Sequence, residues 1–390
     1  MIVILFSLTY TEYIAVPGVI SMKNLCSLLQ ELGAGDVSAK ERDMKIKSIE
    51  LKNFKCFKDK ILDLSIPETN DVQSTCILVG TNGSGKSSIL KAIVAVMTGI
   101  DQRYAGDMLK DADICFDAPG LEIKLTFMLN ENEKNVLQQD NNVMEAIYIY
   151  ERGAEQAILQ CPQGVNQDNY KKMLQTIEKD MRLGIIMYYD PFRFISGRKP
   201  VGPNLQLEKD AKSNALQSNI LSEGNNAFRD MELKQWIINM DYQRLKKTSS
   251  KNEIIFEQMI KAFDILMHPL KFQCIDEEGA IIFRDEKESK DIALDMLSDG
   301  FKSVFFIVID IIRRLSLAEA FEDEAFYMKE AVILIDEIDC HIHPKWQKKL
   351  LPSLRKLFPN CQFIVTTHSP YILDGIPDYS IKKIGEKQII

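Results

Sequence analysis

Several features that would narrow the character of this 390-residue chain are missing from it. No C-x-x-C occurs, and the eight cysteines are widely spaced, which argues against a zinc ribbon or a disulfide framework and suits reduced thiols in a cytoplasm. Positive charge is not in surplus: 48 Lys and Arg against 56 Asp and Glu leave a formal net charge of -8. A surface devoted as a whole to nucleic acid or to anionic lipid is therefore not expected, although a local basic stripe is compatible with that balance. Long apolar runs are scarce too. Met1 to Ile20 are apolar enough to suggest an export signal, but they lack a basic n-region, carry Glu12 and are interrupted by Pro17-Gly18, so neither a signal peptide nor a membrane span is expected. Ser303 to Ile312 is about half the length needed to cross a bilayer and contains Asp310, so it reads as a buried core helix. Internal repeats, low-complexity tracts and sustained heptads are also missing, and the last excludes long coiled-coil arms. What is present, 46% hydrophobic and 27% charged residues, is the profile of a globular chain with a large core in one two-lobed domain or in two domains.

Four short stretches carry chemistry. Gly80-Thr81-Asn82-Gly83-Ser84-Gly85-Lys86-Ser87 matches G-x-x-x-x-G-K-[ST], a loop whose backbone N–H groups wrap nucleotide phosphates. The apolar run Cys76 to Val79 before it and the helical spacing of Lys86 to Met97 after it supply the strand and helix that such a loop needs. Gly80, Gly83 and Gly85 let the backbone approach oxygen closely, Lys86 sets a charge against the β/γ-phosphates, Ser87 offers a hydroxyl to Mg²⁺, and Ser88 extends the cradle into the helix. Ala331 to Ile335 reads as a central strand ending in Asp336-Glu337, at the carboxyl edge where α/β sheets bind ligands. Asp336 suits a hold on Mg²⁺ through water, and Glu337 suits the orientation and deprotonation of an attacking water. Ser298, within Leu297-Ser298-Asp299-Gly300-Phe301, precedes a strong helical stretch from Phe301 to Leu317, so it reads as an N-cap at a helix end able to face an anion. His368 ends a further apolar strand, Gln362 to Thr367, and Ser369-Pro370 after it suits the cap and first turn of a helix. The pair His341 and His343 has no neighbouring cysteine or carboxylate set at zinc-ligand spacing.

In this order the four stretches resemble the ATPase domain of the ABC superfamily, in the branch that includes RecF, the SMC proteins and the OLD ATPases. Asp336-Glu337-Ile338-Asp339-Cys340-His341-Ile342-His343-Pro344 is similar to the D-E-x-x-x-H-x-H-P pattern of OLD-like members. The resemblance implies an α/β P-loop NTPase of ABC type: a central, mostly parallel sheet, an antiparallel edge sheet and a helical lobe. It further implies ATP and Mg²⁺ as ligands. Residues Leu297 to Phe301 would be the signature, with Ser298 and Gly300 facing the γ-phosphate on an opposite protomer; Asp339 would be the D-loop carboxylate that senses that protomer, and His368 the switch histidine. Two chains would then close over two ATPs in a C₂ arrangement. Because family members commonly begin as Met44-Lys45-Ile46 does, residues 1–43 are expected to be an appended segment or a misassigned start. The remaining boundaries are expected at 44–196 for the first ATPase half, 197–295 for a helical lobe and 296–390 for the second half.

Two departures stand out. No Gln-loop glutamine follows the strand Gly184 to Tyr189, which continues Asp190-Pro191-Phe192-Arg193; the Tyr-Tyr-x-x-x-Arg pattern is OLD-like and gives Arg193 a phosphate- or interface-facing role. Residues 369–390 are too few for the Toprim nuclease domain that follows the ATPase in OLD nucleases, and Asp276-Glu277-Glu278 reads as a hairpin turn, so no nuclease centre is expected. Stand-alone ATPases of this kind resemble the ATPase subunits of bacterial antiphage systems, such as PtuA of Septu, retron-associated ATPases and AriA of PARIS. The resemblance therefore implies a cytoplasmic, dimeric or higher-order ATP switch that controls a separate effector, such as a nuclease or toxin, away from any membrane. The alternative is a RecF-like repair ATPase on duplex DNA, for which Lys345, Lys348, Lys349, Arg355 and Lys356, or Arg244, Lys246 and Lys247, would be the nucleic-acid surface. A transporter subunit fits less well, because Asp299-Gly300-Phe301 stands in place of Gly-Gly-Gln and Ile-Asp follows Asp336-Glu337 in place of Pro-Thr.

Overall fold

The computed structural model describes residues 45–69, 71–100, 109–129, 134, 142–162, 166–168, 170, 185–191, 226–247, 250–317 and 326–385. It opens with a hairpin of β1 (Lys45–Phe54) and β2 (Phe57–Asp63), followed by β3 (Thr75–Val79) and α1 (Lys86–Ile100). Strands β4 (Gly120–Met128), β5 (Val143–Glu151) and β6 (Ile158–Gln160) come next, then β7 (Ile185–Tyr189). Helices α2 (Asn226–Leu245) and α3 (Ser250–Leu266) lead into β8 (Leu270–Ile275), β9 (Ile281–Asp285) and β10 (Lys290–Ala293). The chain continues through α4 (Asp299–Leu317), β11 (Ala331–Ile335), α5 (Pro344–Leu357), β12 (Gln362–Thr367) and β13 (Ile381–Lys383).

Two five-stranded sheets organise the described residues. One is antiparallel in the order β2-β1-β4-β5-β6; the other is parallel in the order β13-β3-β12-β11-β7. Side chains alternate across a strand, and here both faces of the parallel sheet are covered, which is why its strands read as unbroken apolar runs. Cys76, Leu78, Ile186, Tyr188, Val332, Leu334 and Ile364 point into a core shared with α1 and the antiparallel sheet. Ile77, Met187, Tyr189, Ile333, Ile335, Phe363 and Val365 point into a second core built with α2 to α5. Between the sheets, α1 buries every residue from Ile89 to Met97 except Lys91. The imperfect alternation at the start of β1 has a local cause: its register against β4 shifts between Ile46 and Ser48, so Ile46 and Ile49 both reach the core. Gln362, fully buried, fastens the two sheets together: its Oε1 accepts from Ile46 N at 2.9 Å, and its Nε2 donates to Ile46 O at 2.9 Å and to Gln73 O at 3.1 Å.

Beyond the second core, β8, β9 and β10 form a small antiparallel sheet. Its first turn lies at Glu278-Gly279, where Asp276 Oδ1 accepts from Glu278 N and Ala280 N, so the carboxylate at the head of this acidic cluster shapes a hairpin. Phe263 of α3 stacks on Phe305 of α4 at 5.2 Å and meets Phe283 of β9 edge-on at 5.4 Å, so the buried faces of α2, α3, β8 and β9 share one continuous apolar core with the parallel sheet. Ser303 to Ile312 lies within α4 and is buried, and among the described residues no helix is long and apolar enough to cross a membrane. The helix expected after His368 does not form. Residues 370–375 are a succession of turns in which Ser369 Oγ accepts from Tyr371 N at 3.1 Å, and Gly375 at φ +75° with Pro377 beyond it ends any helical run within a turn.

Candidate nucleotide-binding site

Because β3, β11, β12 and β7 run parallel, the loops at their carboxyl ends emerge along one edge. The loop after β3 carries residues 80–85 and delivers Lys86 and Ser87 to the first turn of α1. Gly83 and Gly85 have φ of +76° and +98°, a region that costs most residues strain. At Gly85 a Cβ would also lie 2.4 Å from the Phe57 ring, so the hairpin turn of β1 and β2 backs the loop directly. Thr81, Asn82 and Gly83 are exposed at its tip, and Ser84 and Ser88 are half-buried. Lys86 is buried, and its ammonium donates to Gly80 O at 2.9 Å and Thr81 O at 3.0 Å, closing the loop on itself. Burial pushes the Lys86 pKa down from the ordinary lysine value, opposed by the nearby carboxylates of Asp336, Glu337 and Asp339.

At the end of β11, Ser87 Oγ donates to Asp336 Oδ1 at 3.0 Å, and Thr366 Oγ1 donates to the same oxygen at 2.5 Å. Thr366 also holds the next residue, since its Oγ1 accepts from Glu337 N at 2.7 Å while its carbonyl accepts from Ile338 N at 3.0 Å. Glu337 itself sits at φ +46°, a left-handed conformation that turns its half-buried side chain out of the strand direction. Asp336 N donates to Tyr189 O at 2.8 Å, which extends the β11–β7 ladder up to the acidic pair. Asp339 accepts from Thr367 Oγ1. Gln347 of α5 then ties this turn to the segment after β12: its Nε2 donates to Ile342 O at 2.7 Å and Asp339 O at 3.2 Å, and its Oε1 accepts from Ser369 Oγ at 2.5 Å. His368 is exposed between Thr367 and Ser369, and His343 caps α5 by accepting from Lys345 N at 3.3 Å.

Ser298 stands immediately before α4, exposed, with its carbonyl accepting from Lys302 N at 3.0 Å. No hydrogen bond among the described residues joins it to residues 80–87 of its own chain. Gly300 is buried instead against the turn after β11, where a Cβ would lie 2.4 Å from His341 O, and Phe301 meets Trp346 edge-on at 4.4 Å. Sequence reasoning thus named the residues of the phosphate loop and the acidic pair, and the structure brings Lys86, Ser87, Asp336, Glu337 and Asp339 together. Among the described residues, Ser298 makes no hydrogen bond to any of them. Thr366, Gln347 and Tyr189 were missed; the one available signal was the pair of threonines closing an otherwise apolar strand. Arg193 lies outside the described residues. Of the basic residues set aside for nucleic acid, Arg244 is engaged within the chain, pairing with Asp241 at 2.6 Å and lying over the Phe256 ring at 4.4 Å.

The donor set suits a nucleotide with Mg²⁺. A hydroxyl and a carboxylate 3.0 Å apart are the hard oxygens that this cation takes. Ser84 Oγ, inside the loop, is buried without a hydrogen-bond partner among the described residues, and a phosphate oxygen would satisfy it.

A parallel sheet with this glycine loop and acidic pair at its carboxyl edge, flanked by an antiparallel sheet, is an α/β P-loop NTPase of ABC-ATPase type. The crystal structure of the Smc head domain from Pyrococcus furiosus shares the fold with a TM-score of 0.50 at 18% identity, covering 85% of this chain and 91% of that one. The chain belongs to the AAA ATPase domain family, whose model matches residues 44–373. It is similar to the retron Ec83 probable ATPase of Escherichia coli, 25% identical with 90% of this chain and 74% of that protein covered. The retron Vc95 probable ATPase of Vibrio cholerae is 24% identical, with 88% and 74% covered. Septu protein PtuA of Bacillus mycoides is 25% identical over 88% of this chain, but the match spans only 41% of PtuA.

Proposed function

We propose that this protein is an ATP-hydrolysing switch subunit of a bacterial antiphage system, which dimerises around ATP and thereby controls a separate effector. The observation that carries the hydrolytic part is the three-way junction at Asp336: Ser87 from the phosphate loop and Thr366 from β12 meet one carboxylate oxygen, and the same Thr366 positions Glu337. In this reading Lys86 and the backbone of residues 80–88 bind the phosphates, with Ser87 and Asp336 holding Mg²⁺, which would neutralise charge between the β- and γ-phosphates. Glu337 orients the attacking water and accepts its proton, and His368, exposed just after β12, senses the γ-phosphate.

Support for the dimer comes from the signature segment. Ser298 is exposed and lacks a bond to its own phosphate loop, while Gly300 and Asp339 are fixed to a common turn, so one protomer can offer Ser298, Gly300 and Asp339 together to another's ATP. The likeness to two retron ATPases and to PtuA supports the defence setting. The test is the mass in solution of Glu337→Gln, by light scattering, with and without ATP and Mg²⁺. The expected result is a dimer or higher species that accumulates only with nucleotide, with turnover lost by about 10²-fold or more and binding kept. Normal turnover would remove Glu337 as the base, and an unchanged mass would remove ATP-driven assembly.

A further inference from the structure

A cavity of about 390 Å³ opens where the end of α3, the first turns of α4 and the exposed side of α5 come together. Its floor is apolar, formed by the buried side chains of Leu266, Val304, Ile342 and Leu350. Its rim carries Lys287, Lys345, Lys348 and Lys349, all exposed, together with His268, and among the described residues no carboxylate lines it. On α5 the three lysines fall at i, i+3 and i+4, which places them on one helical face. Lys348 is paired with Asp374 at 2.9 Å, whereas among the described residues Lys287, Lys345 and Lys349 have no carboxylate partner. In a chain of net charge -8, this is a concentration of charge against the trend of the whole.

We infer that this groove docks an acidic segment of a partner protein, with one apolar side chain seated in the cavity and flanking carboxylates against the lysine rim. The charge selects an anionic occupant. The apolar floor selects a polypeptide, because a nucleic-acid backbone presents phosphate to lysines but has no aliphatic or aromatic side chain to fill such a cavity. The groove is also wired to the nucleotide site. Ile342 of its floor belongs to the turn that Gln347 holds, and Trp346 of its wall packs edge-on against Phe301 of the signature segment at 4.4 Å. A segment bound here therefore touches the two elements expected to move when ATP joins two protomers, which makes it a site of effector control. In that respect the inference rests on the switch reading, although peptide binding to the groove is measured independently of turnover and assembly.

The test uses the full chain and a fluorescein-labelled peptide that carries Phe-Leu between runs of glutamate, followed by anisotropy at two salt concentrations. Binding is expected to weaken with salt, and Lys345→Glu with Lys349→Glu is expected to lower affinity by roughly tenfold or more, since two attractions become repulsions. Ser353→Phe, which fills the cavity without altering charge, is expected to abolish binding while ATP turnover persists. A polyglutamate peptide without Phe-Leu that binds equally well would overturn the cavity's part in the inference. Binding of a DNA duplex that the lysine variant abolishes, with no binding of the peptide, would overturn it in favour of a nucleic-acid surface, and absence of peptide binding would overturn it outright. None of these outcomes alters the Glu337→Gln result, so the two readings fail separately.

Discussion

Removal of the Asp310 carboxylate should be among the most damaging single changes in the described core. Asp310 and Arg314 lie one turn apart on α4, each side chain 3% exposed, with Arg314 Nε donating to Asp310 Oδ2 at 2.8 Å. The Tyr189 hydroxyl donates to the same oxygen at 3.0 Å, and the Tyr189 carbonyl receives Asp336 N, so the pair connects α4 to the acidic end of β11. A guanidinium does not shed its charge, so Asp310→Ala removes the buried carboxylate that Arg314 Nε faces, a loss of about 3–5 kcal/mol. Tyr189→Phe removes one hydrogen bond to a charged acceptor and keeps the ion pair, for about 1.5–3 kcal/mol. Asp310→Leu combined with Arg314→Leu removes both charges and should recover part of the loss, because desolvation largely cancels the attraction within such a pair, while the Tyr189 hydroxyl still loses its acceptor. Urea unfolding followed by tryptophan fluorescence would report on this core, since Trp236 is buried in it. The expected midpoint order is wild type, Tyr189→Phe, the double variant and then Asp310→Ala, because the double variant also takes the acceptor from the buried Tyr189 hydroxyl. An Asp310→Ala midpoint equal to wild type would refute the reasoning, and a double variant as weak as the single would show that side-chain shape, not charge, decides the site.

Three further outcomes follow from the geometry. Gly300→Ala should move the start of α4 away from the turn after β11, because its Cβ would lie 2.4 Å from the His341 carbonyl; a loss of about 1–3 kcal/mol in unfolding and a weaker response of mass to ATP are expected. Burial lowers the Lys86 pKa in the free protein, and a bound triphosphate would raise it, so nucleotide affinity should be full below the lowered value and fall as pH rises between the two; binding isotherms from neutral pH to about pH 10 that stay flat would contradict this. Mixing Ser298→Arg with Glu337→Gln protein should leave one type of intact composite site per mixed dimer, so partial turnover should return on mixing, and none returns if each chain completes its own site.

The strand, glycine loop and helix around Lys86 were legible because each depends on neighbouring residues: an apolar run, permissive glycines and helical spacing. The acidic end of β11 was legible for the same reason. The buried nature of Ser303 to Ile312 was also readable, since a run too short to span a bilayer and carrying Asp310 belongs in a core, and Arg314 falls one helical turn away from it. The helix expected after His368 failed because a good cap and a proline specify only a beginning, whereas Gly375 and Pro377 prevent continuation.

By itself, then, the amino-acid sequence determined the local devices of this protein: which residues could cradle phosphate, which carboxylates end a central strand, and which helix is buried. Tertiary structure alone decided which of these meet. Ser87 and Asp336, 249 positions apart, touch because β3, whose loop delivers Ser87, and β11, which ends at Asp336, lie on either side of β12, and that same order makes Thr366 the hinge between Asp336 and Glu337. No local pattern marks Gln347, Gln362 or the Tyr189 hydroxyl, and the two threonines that close β12 do not say what they bind, because a polar group's partner across a sheet depends on strand order and register. Periodicity reports which face a residue occupies, while the identity of what lies opposite is fixed only when distant segments pack.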